Sequence, residues 1–359
     1  MVDTIAVIDS DRIERMTMLN ADSSFLLLEE GRKTEAEEVS THCGGGAVNA
    51  AVAMARLGLD VAALVKLGQD PRADIILARL AQEGISSQWA IRDSRVPTGS
   101  SVMVASHERN AAIFTFRGAN TLLEPGDLAA DAFAVDVVYI SNLSNRSADC
   151  YPEIVKRAKA RGAMVATNPG VRQLSARGGA FQQSLAQIDV LALNRAEADV
   201  LVPSFVARFG EGGPCLALSP GEEPPILGAR GLAAGGFEMS LVAFFNALLS
   251  MGPRLVLLTD GARGAYAGSK DDILFVPALE AKVASTSGAG DAFASTFVAY
   301  TAMGRPTADA LCAASINAAS VVSHADTQTG LLKRQAIEER LAAMPAACIR
   351  RWSASGLAL

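Results

Sequence analysis

Seven residues, Ser285-Thr286-Ser287-Gly288-Ala289-Gly290-Asp291, run directly into the small-residue stretch AFASTFVAY. Two glycines flank an alanine, an acid closes the turn, and a helix is predicted to begin there. The first N–H groups of a helix have no partner inside it and lie at its positive end, so such a turn offers a hole for an anion. Asp291 beside that hole would repel a bound anion. Its place suits another task. It can take a proton from a hydroxyl while the backbone of Gly288, Ala289 and Gly290 holds a phosphoryl group that is gaining charge. Phosphoryl transfer to an alcohol uses both.

Four other clusters carry residue types that could serve such a reaction. Cys43-Gly44-Gly45-Gly46-Ala47-Val48-Asn49 opens the helical run AAVAMARLG. Glycines let a ligand approach the backbone closely. Asn49 would project from the first turn with a donor and an acceptor for sugar hydroxyls. Asn49 stands where the third glycine of GxGxxG would be, which weakens a dinucleotide reading, and a turn without a ligand is the plain alternative. Asn20 and Asp22 lie in TMLNADSS, where a carboxylate can accept hydrogen bonds from two hydroxyls of a polyol or simply cap a turn; Asp9 and Asp11 are rival acids. Asn194 and Glu197 follow the apolar run VLALN at a spacing that puts both on one helical face. An amide and a carboxylate there can organise a hydrated Mg²⁺ and the phosphates it bridges, or form a capping box. Thr259-Asp260-Gly261-Ala262-Arg263-Gly264 follows RLVLL, with a hydroxyl and two glycines that can cradle a nucleotide or make a common turn. GxxxxGK[ST], HRD and DFG are all absent, which excludes P-loop enzymes and protein kinases. His42, His107 and His324 are scattered without metal spacing and read as structural.

These clusters need a frame. Short β-like runs at 61–68, 137–141, 163–168, 190–194 and 254–261 alternate with helical patterns at 47–58, 73–84 and 150–162. The alternation predicts an α/β fold, a three-layer, mostly parallel sheet with helices on both faces and ligands at the carboxyl ends of its strands. Residues 22–42 and 97–117 break the pattern. They are polar and strand-like, the second a hairpin turning near His107–Asn110, and they read as a small β lid over the sheet edge. Residues 203–236, rich in Gly, Pro and Ala, read as a surface insertion.

The chain has 359 residues, 50% of them apolar, and a net charge of −6. That fits one large domain over 1–359 and carries no basic stripe for nucleic acid. The five cysteines, Cys43, Cys150, Cys215, Cys312 and Cys348, are widely spaced and never form a CxxC pair, which points to a reducing compartment. No apolar run is long enough to span a bilayer and no signal-peptide core opens the chain, so a cytoplasmic protein with no membrane association is expected.

Taken in order, the acid near the start, GG…N, the Thr98-Gly99 hairpin, NxxE, T-D-G-x-x-G and GAGD with its helix resemble the ribokinase-like (PfkB) carbohydrate kinases from about residue 17 to about residue 325. The resemblance implies ATP-dependent phosphorylation of a sugar. Asp291 would be the base and Gly288, Ala289 and Gly290 the anion hole. Asn20, Asp22, Gly45 and Asn49 would hold the sugar. Asn194 and Glu197 would organise phosphates and Mg²⁺, Glu197 through water. Thr259, Gly261, Gly264 and Asn317 would line the nucleotide pocket. The lid would also pair two subunits into a homodimer. Ser285 stands where the family often has an Asp that helps hold an activating monovalent cation, which leaves that cation open. Gly46 stands where its sugar kinases often have Lys. Thr98-Gly99 lacks the Arg of the sugar-phosphate kinases and favours a free sugar, although Arg117 can still meet a phosphate. A sugar-phosphate kinase, a nucleoside kinase and a non-catalytic sugar or nucleotide sensor are the alternatives.

Overall fold

The computed structural model describes residues 1–9, 14–17, 24–27, 30–31, 33–106, 111–217, 225–345 and 348–357. Its centre is a seven-stranded sheet. The strands run in the order Arg350–Ser353, Asp272–Val276, Ala265–Gly268, Leu255–Thr259, Val190–Asn194, Met164–Thr167, Val137–Ile140. The last four are mutually parallel and the first three join antiparallel. Four of the five β-like runs in the sequence are these parallel strands. Their near-continuous apolar character follows from burial on both faces. Along Val190–Asn194 the side chains divide: Leu191 and Leu193 face one core, Val190 and Ala192 the other.

On the first face pack the helices Tyr151–Ala160, Val171–Ser184, Arg195–Phe209 and Leu241–Ser250, with Phe181, Phe205 and Phe244 fully buried. On the second lie Ala289–Ala302, Thr307–Val321 and Arg334–Ala343, anchored by Phe297 and Tyr300 among many alanines. Those alanines let the helix Ala289–Ala302 lie close to the sheet, which fixes where its first turn, and Asp291 with it, comes to rest. No helix among the described residues is long and apolar enough to cross a membrane.

Several places differ from the sequence expectation. The run at 61–68 yields only the strand Val65–Gly68, which pairs in parallel with Ala90–Asp93 as a separate two-stranded sheet. The helix predicted after it begins at Pro71, with Asp70 as its N-cap accepting from the Ala73 N–H. Residues 203–209 belong to the helix Arg195–Phe209, which tolerates Pro203, so the irregular stretch starts at Gly210; it also buries Leu227 and Leu232 instead of lying wholly on the surface.

The lid is a four-stranded sheet in the order Glu38–Cys43, Val2–Ile8, Ser100–Ser106, Ala111–Phe116. Its second strand, Val2–Ile8, comes from the first residues of the chain. Within 22–42, Ser24–Leu27 pairs with Glu14–Thr17 as a separate ribbon, and only Glu38 onward enters the lid sheet. The hairpin turn at His107–Asn110 lies outside the described residues.

Candidate active site

The turn that opens the helix Ala289–Ala302 is built around Gly288, whose φ of 80° is left-handed and whose Cα lies so close to Thr327 that a Cβ would sit 2.7 Å from the Thr327 Cβ. No side chain caps this helix. The Ala289 N–H reaches the Thr286 carbonyl at 3.4 Å and the Ala292 N–H reaches that of Gly288 at 2.9 Å. The N–H groups of Gly290 and Asp291 bond to nothing among the described residues. Space in front of Gly290 is open, with no atom within 4 Å of where a Cβ would stand. This is two donors at a positive helix end facing an opening.

Asp291 points back toward the other glycine cluster. Asn49 Nδ2 donates to its Oδ2 at 2.8 Å. Burial pushes the Asp291 carboxyl above its ordinary value; the Asn49 hydrogen bond opposes this and the nearby Asp3 charge adds to it. Asn49 is itself buried, and its Oδ1 accepts from Thr327 Oγ1 at 2.9 Å and from Gln328 Nε2 at 3.1 Å. Both ends of its amide are thus engaged by protein, and it orients the acid.

The three glycines beside Asn49 separate two acids. A Cβ on Gly44 would fall 1.8 Å from Asp3 Oδ2, and a Cβ on Gly46 would fall 3.1 Å from Asp291 Oδ1 and 3.4 Å from Asn142 Oδ1. A side chain at 46 would press on these atoms and on Ser141 by a few tenths of an ångström. Gly45 holds the turn with a φ of 94°, against Met1. Ser141 and Asn142, at the carboxyl end of Val137–Ile140, complete the floor under Asp291.

Asp3 is the acid that the sequence analysis missed. It lies across from His42 and Ser101 in the lid sheet, and Ser101 Oγ donates to its Oδ1 at 2.6 Å. It lines a cavity of about 220 Å³ between the lid and the loops at Ser287 and 325–327, with Ser101, Thr115, Arg117 and Thr327 also on the wall. The available signal was alternation: Asp3 and Ile5 share a face, and both reach the cavity. Asn20 and Asp22, the amide and acid expected to hold a sugar, lie outside the described residues.

Asn194 and Thr259 end adjacent parallel strands and are partners in register. Asn194 caps the helix Arg195–Phe209 and forms a capping box with Glu197: the Glu197 N–H donates to Asn194 Oδ1 and the Asn194 N–H donates to Glu197 Oε2, each at 2.9 Å. Burial pushes the Glu197 carboxyl up to about 7, against the Asn194 hydrogen bonds and with help from the Asp291 charge. The Tyr139 hydroxyl is buried without a partner among the described residues, and both carboxylates contribute to raising its pKa after burial. Asp291, Glu197 and Tyr139 therefore share one electrostatic neighbourhood. Among the described residues no three His, Cys, Asp or Glu side chains form a metal cage. One buried carboxylate beside an unpartnered hydroxyl fits a Mg²⁺ held mainly by water and phosphate.

Beyond Thr259 the turn is closed by Asp260, which accepts two hydrogen bonds from Arg263 at 2.7 Å. Gly261 (φ 56°) stands open, whereas Gly264 (φ 112°) would press a Cβ within 2.4 Å of the Val276 carbonyl. Asn317 is the one nucleotide-site residue that the structure removes. It is fully buried, with Nδ2 on Thr296 Oγ1 at 2.7 Å and Oδ1 accepting from the Leu332 N–H at 2.9 Å. A polar residue in an alanine-rich helix here ties two helices and a loop together, and offers nothing to a nucleotide.

Thr98-Gly99 is likewise structural. Thr98 Oγ1 donates to Asp70 at 2.6 Å and accepts from the Gly68 N–H at 2.9 Å, and a Cβ on Gly99 would lie 2.6 Å from the Arg117 carbonyl. The lack of an Arg at that pair therefore carries no information about the acceptor.

With this geometry in hand, comparison with known proteins is decisive. Residues 4–206 and 233–334 match the pfkB family carbohydrate kinase pattern. The chain belongs to the pfkB family of carbohydrate kinases. It is an enzyme of the ATP-dependent carbohydrate kinase type. The unmatched interval, 207–232, holds the irregular stretch after Phe209. A ribokinase of Staphylococcus aureus is 26% identical over 274 residues, covering 75% of this chain and 78% of the relative. A deoxyribokinase of Salmonella typhi is 25% identical over 300 residues, 82% of this chain and 85% of the relative. The Thermotoga maritima ribokinase shares the fold with a TM-score of 0.70 at 19% identity, over 95% of this chain and 96% of its own. The Arabidopsis thaliana ribokinase complexed with ribose and ATP gives 0.67 at 18% identity, over 95% of each chain.

Proposed function

We propose that this pfkB-family enzyme transfers the γ-phosphoryl group of ATP directly to a hydroxyl of a sugar, with Asp291 as the general base. The observation that carries the reading is the Asp291 carboxylate, half-buried and held by Asn49, at the mouth of a helix whose Gly290 and Asp291 N–H groups meet no partner among the described residues. Asp3 and Ser101 bind sugar hydroxyls from the lid, and Gly44 leaves the space that the Asp3 carboxylate occupies. Asn49 positions the base. The hydroxyl gives its proton to Asp291 as its oxygen bonds to phosphorus. The bond from that phosphorus to the oxygen of ADP breaks, and the helix N-terminus stabilises the charge on the moving group. Thr259 and Gly261 line the nucleotide side. Glu197, with Asn194 beside it, would hold a hydrated Mg²⁺, and the metal would neutralise phosphate charge when bound.

The lid offers a second surface. Val102, Phe114 and Phe116 are 45%, 58% and 49% exposed. By strand alternation they point away from the cavity that Ile113 and Thr115 line. A second copy of this chain covers that face, giving a homodimer through the lid. The test of the activity is a coupled ADP-release assay over ribose, deoxyribose, fructose, their phosphomonoesters and nucleosides. ADP release dependent on a sugar supports the reading. A nucleoside as sole acceptor, or none at all, rejects it.

A further inference from the structure

A hydrogen-bond chain leads from Asp291 away from the acceptor cavity, and its direction is fixed at both ends. The Asp291 carboxylate only accepts; the Arg79 guanidinium only donates. Between them lie two amides, each of which has two faces to offer. Arg79 Nε donates to Gln328 Oε1 at 2.9 Å, Gln328 Nε2 donates to Asn49 Oδ1 at 3.1 Å, and Asn49 Nδ2 donates to Asp291 Oδ2 at 2.8 Å. Each amide thus turns its oxygen to the cation and its nitrogen to the acid. Turning Gln328 over would set its oxygen against that of Asn49 and its nitrogen against Arg79. Turning Asn49 over would set its oxygen against the Asp291 carboxylate. The Thr327 hydroxyl also donates to Asn49 Oδ1, at 2.9 Å, but a hydroxyl can equally accept, so it follows the amide and does not fix it.

The chain is held rigidly. Gln328 and Asn49 are both buried. Arg79 stands on the helix Pro71–Gln82, and Gln328 on the loop between Thr307–Val321 and Arg334–Ala343. Glu83 pairs with Arg79 at 3.1 Å and with Arg56 at 2.7 Å. Arg56 also donates to the carbonyls of Gln328 and Leu331, at 2.9 and 2.7 Å, so the loop is fixed by its backbone as well as by its side chain. Neither Gln328 nor Arg79 lines the acceptor cavity. The same loop presses Thr327 against Gly288, so the holder of the acid and the turn of the anion hole share one support.

We propose that Gln328 and Arg79 are positioning residues for the general base: they lock the one orientation of the Asn49 amide in which Asp291 meets a donor and not a carbonyl oxygen. This rests on the reading of Asp291 as the base. Aligned donors polarise one another, so the Arg79 charge reaches the carboxylate through both amides and favours its ionised form. The other groups around Asp291 work the opposite way. Asp3 faces it from the lid, and Glu197 and Tyr139, from the helix Arg195–Phe209 and the strand Val137–Ile140, share its electrostatic neighbourhood. Asp326, on the Gln328 loop near His42, has its Oδ1 taken by the N–H groups of Gln328 and Thr329.

The experiment records kcat, the acceptor KM and the pH profile of kcat on whichever of ribose, deoxyribose and fructose the wild type turns over fastest. The variants are Gln328→Glu, Arg79→Met, Arg79→Lys, Asn49→Ala and the double variant of Asn49→Ala with Gln328→Glu. Gln328→Glu keeps the shape and the pairing with Arg79 but removes the donor, so Asn49 turns its nitrogen to the new carboxylate and its oxygen to Asp291. The expected result is a kcat lower by about tenfold, as for a lost hydrogen bond to a charged group, with the acid limb at higher pH and KM within about twofold. Arg79→Met, which buries no new charge, is expected to move kcat and the limb the same way by less, and Arg79→Lys to restore part of the loss. In the Asn49→Ala background Gln328→Glu should lower kcat by no more than about a further twofold, because it acts through Asn49. A kcat and an acid limb unmoved in Gln328→Glu and Arg79→Met, or effects that add in full in the double variant, overturn the proposal. Asp291→Asn, assayed alongside, separates the two levels. If it is inactive while Gln328→Glu and Arg79→Met match wild type, the positioning role falls and the base reading stands; if it turns over like wild type, the base reading falls and this proposal with it.

Discussion

At the scale of single residues the account rests on two carboxylates whose affinities for protons are set by burial. Asn49 stabilises the charged form of Asp291 through one hydrogen bond. Asn49→Ala removes it, so Asp291 titrates higher still, and because the base must be ionised the acid limb of the kcat profile moves to higher pH. The same change should lower kcat more than it raises KM for the acceptor, since Asn49 touches the acid and does not line the cavity. A limb that stays in place or moves down contradicts the positioning role. Glu197 gives a stability prediction of definite sign. Its carboxyl rises from 4.5 to about 7 in the folded protein, so the protonated form is favoured by folding. That contribution is complete below about 4.5 and is lost as pH rises through about 7, of order 3 kcal/mol in all. Glu197→Gln keeps an acceptor for the Asn194 N–H and removes the buried charge. Thermal melts should show the variant more stable than wild type at pH 8 and the gap closing toward pH 5; a gap that widens on acidification would reject this.

At the scale of elements, glycines set the approach of one piece of backbone to another. Gly44→Ala places a Cβ where Asp3 Oδ2 now lies, and a carboxylate at the end of a side chain moves more readily than backbone. The fold should persist while KM for the acceptor rises by about tenfold or more, as expected for a displaced charged hydrogen-bonding group. An unchanged KM would remove Asp3 from the acceptor site. Phe297, on the helix Ala289–Ala302, is fully buried against the sheet, and Phe297→Ala should cost about 3–5 kcal/mol in urea unfolding. The parallel strands and the GAGD turn were legible because their signals are local: apolar runs closed by turn chemistry, and glycine before a helix. Asp3 was not, since its meaning depends on pairing with Ser101, nearly a hundred residues away. Asn317 misled for a different reason. It was placed at the nucleotide pocket by the family resemblance alone, and only the packing of the helices shows its amide engaged by Thr296 and Leu332.

At the scale of the whole molecule, the proposed reaction requires the lid to bring Asp3 toward Asp291. The lid face turned away from that site is apolar and exposed at Phe114 and Phe116. Phe114→Asp should convert a dimer to a monomer in sedimentation, and a wild-type monomer would refute the lid-mediated pairing. The α/β architecture was readable from alternation alone. The assembly of the lid was not, because its strands are distant in sequence and one of them, Val2–Ile8, gives no turn signal to mark its role. The central claim is that Asp291 is the base of the whole apparatus. The most direct measurement is turnover of Asp291→Asn on the best acceptor of the wild-type enzyme, with ATP binding and thermal melting recorded on the same sample. The account predicts an intact fold, unchanged ATP affinity and a kcat lower by roughly 10²–10⁴-fold. A kcat within about threefold of wild type, far short of what a general base contributes, would contradict it.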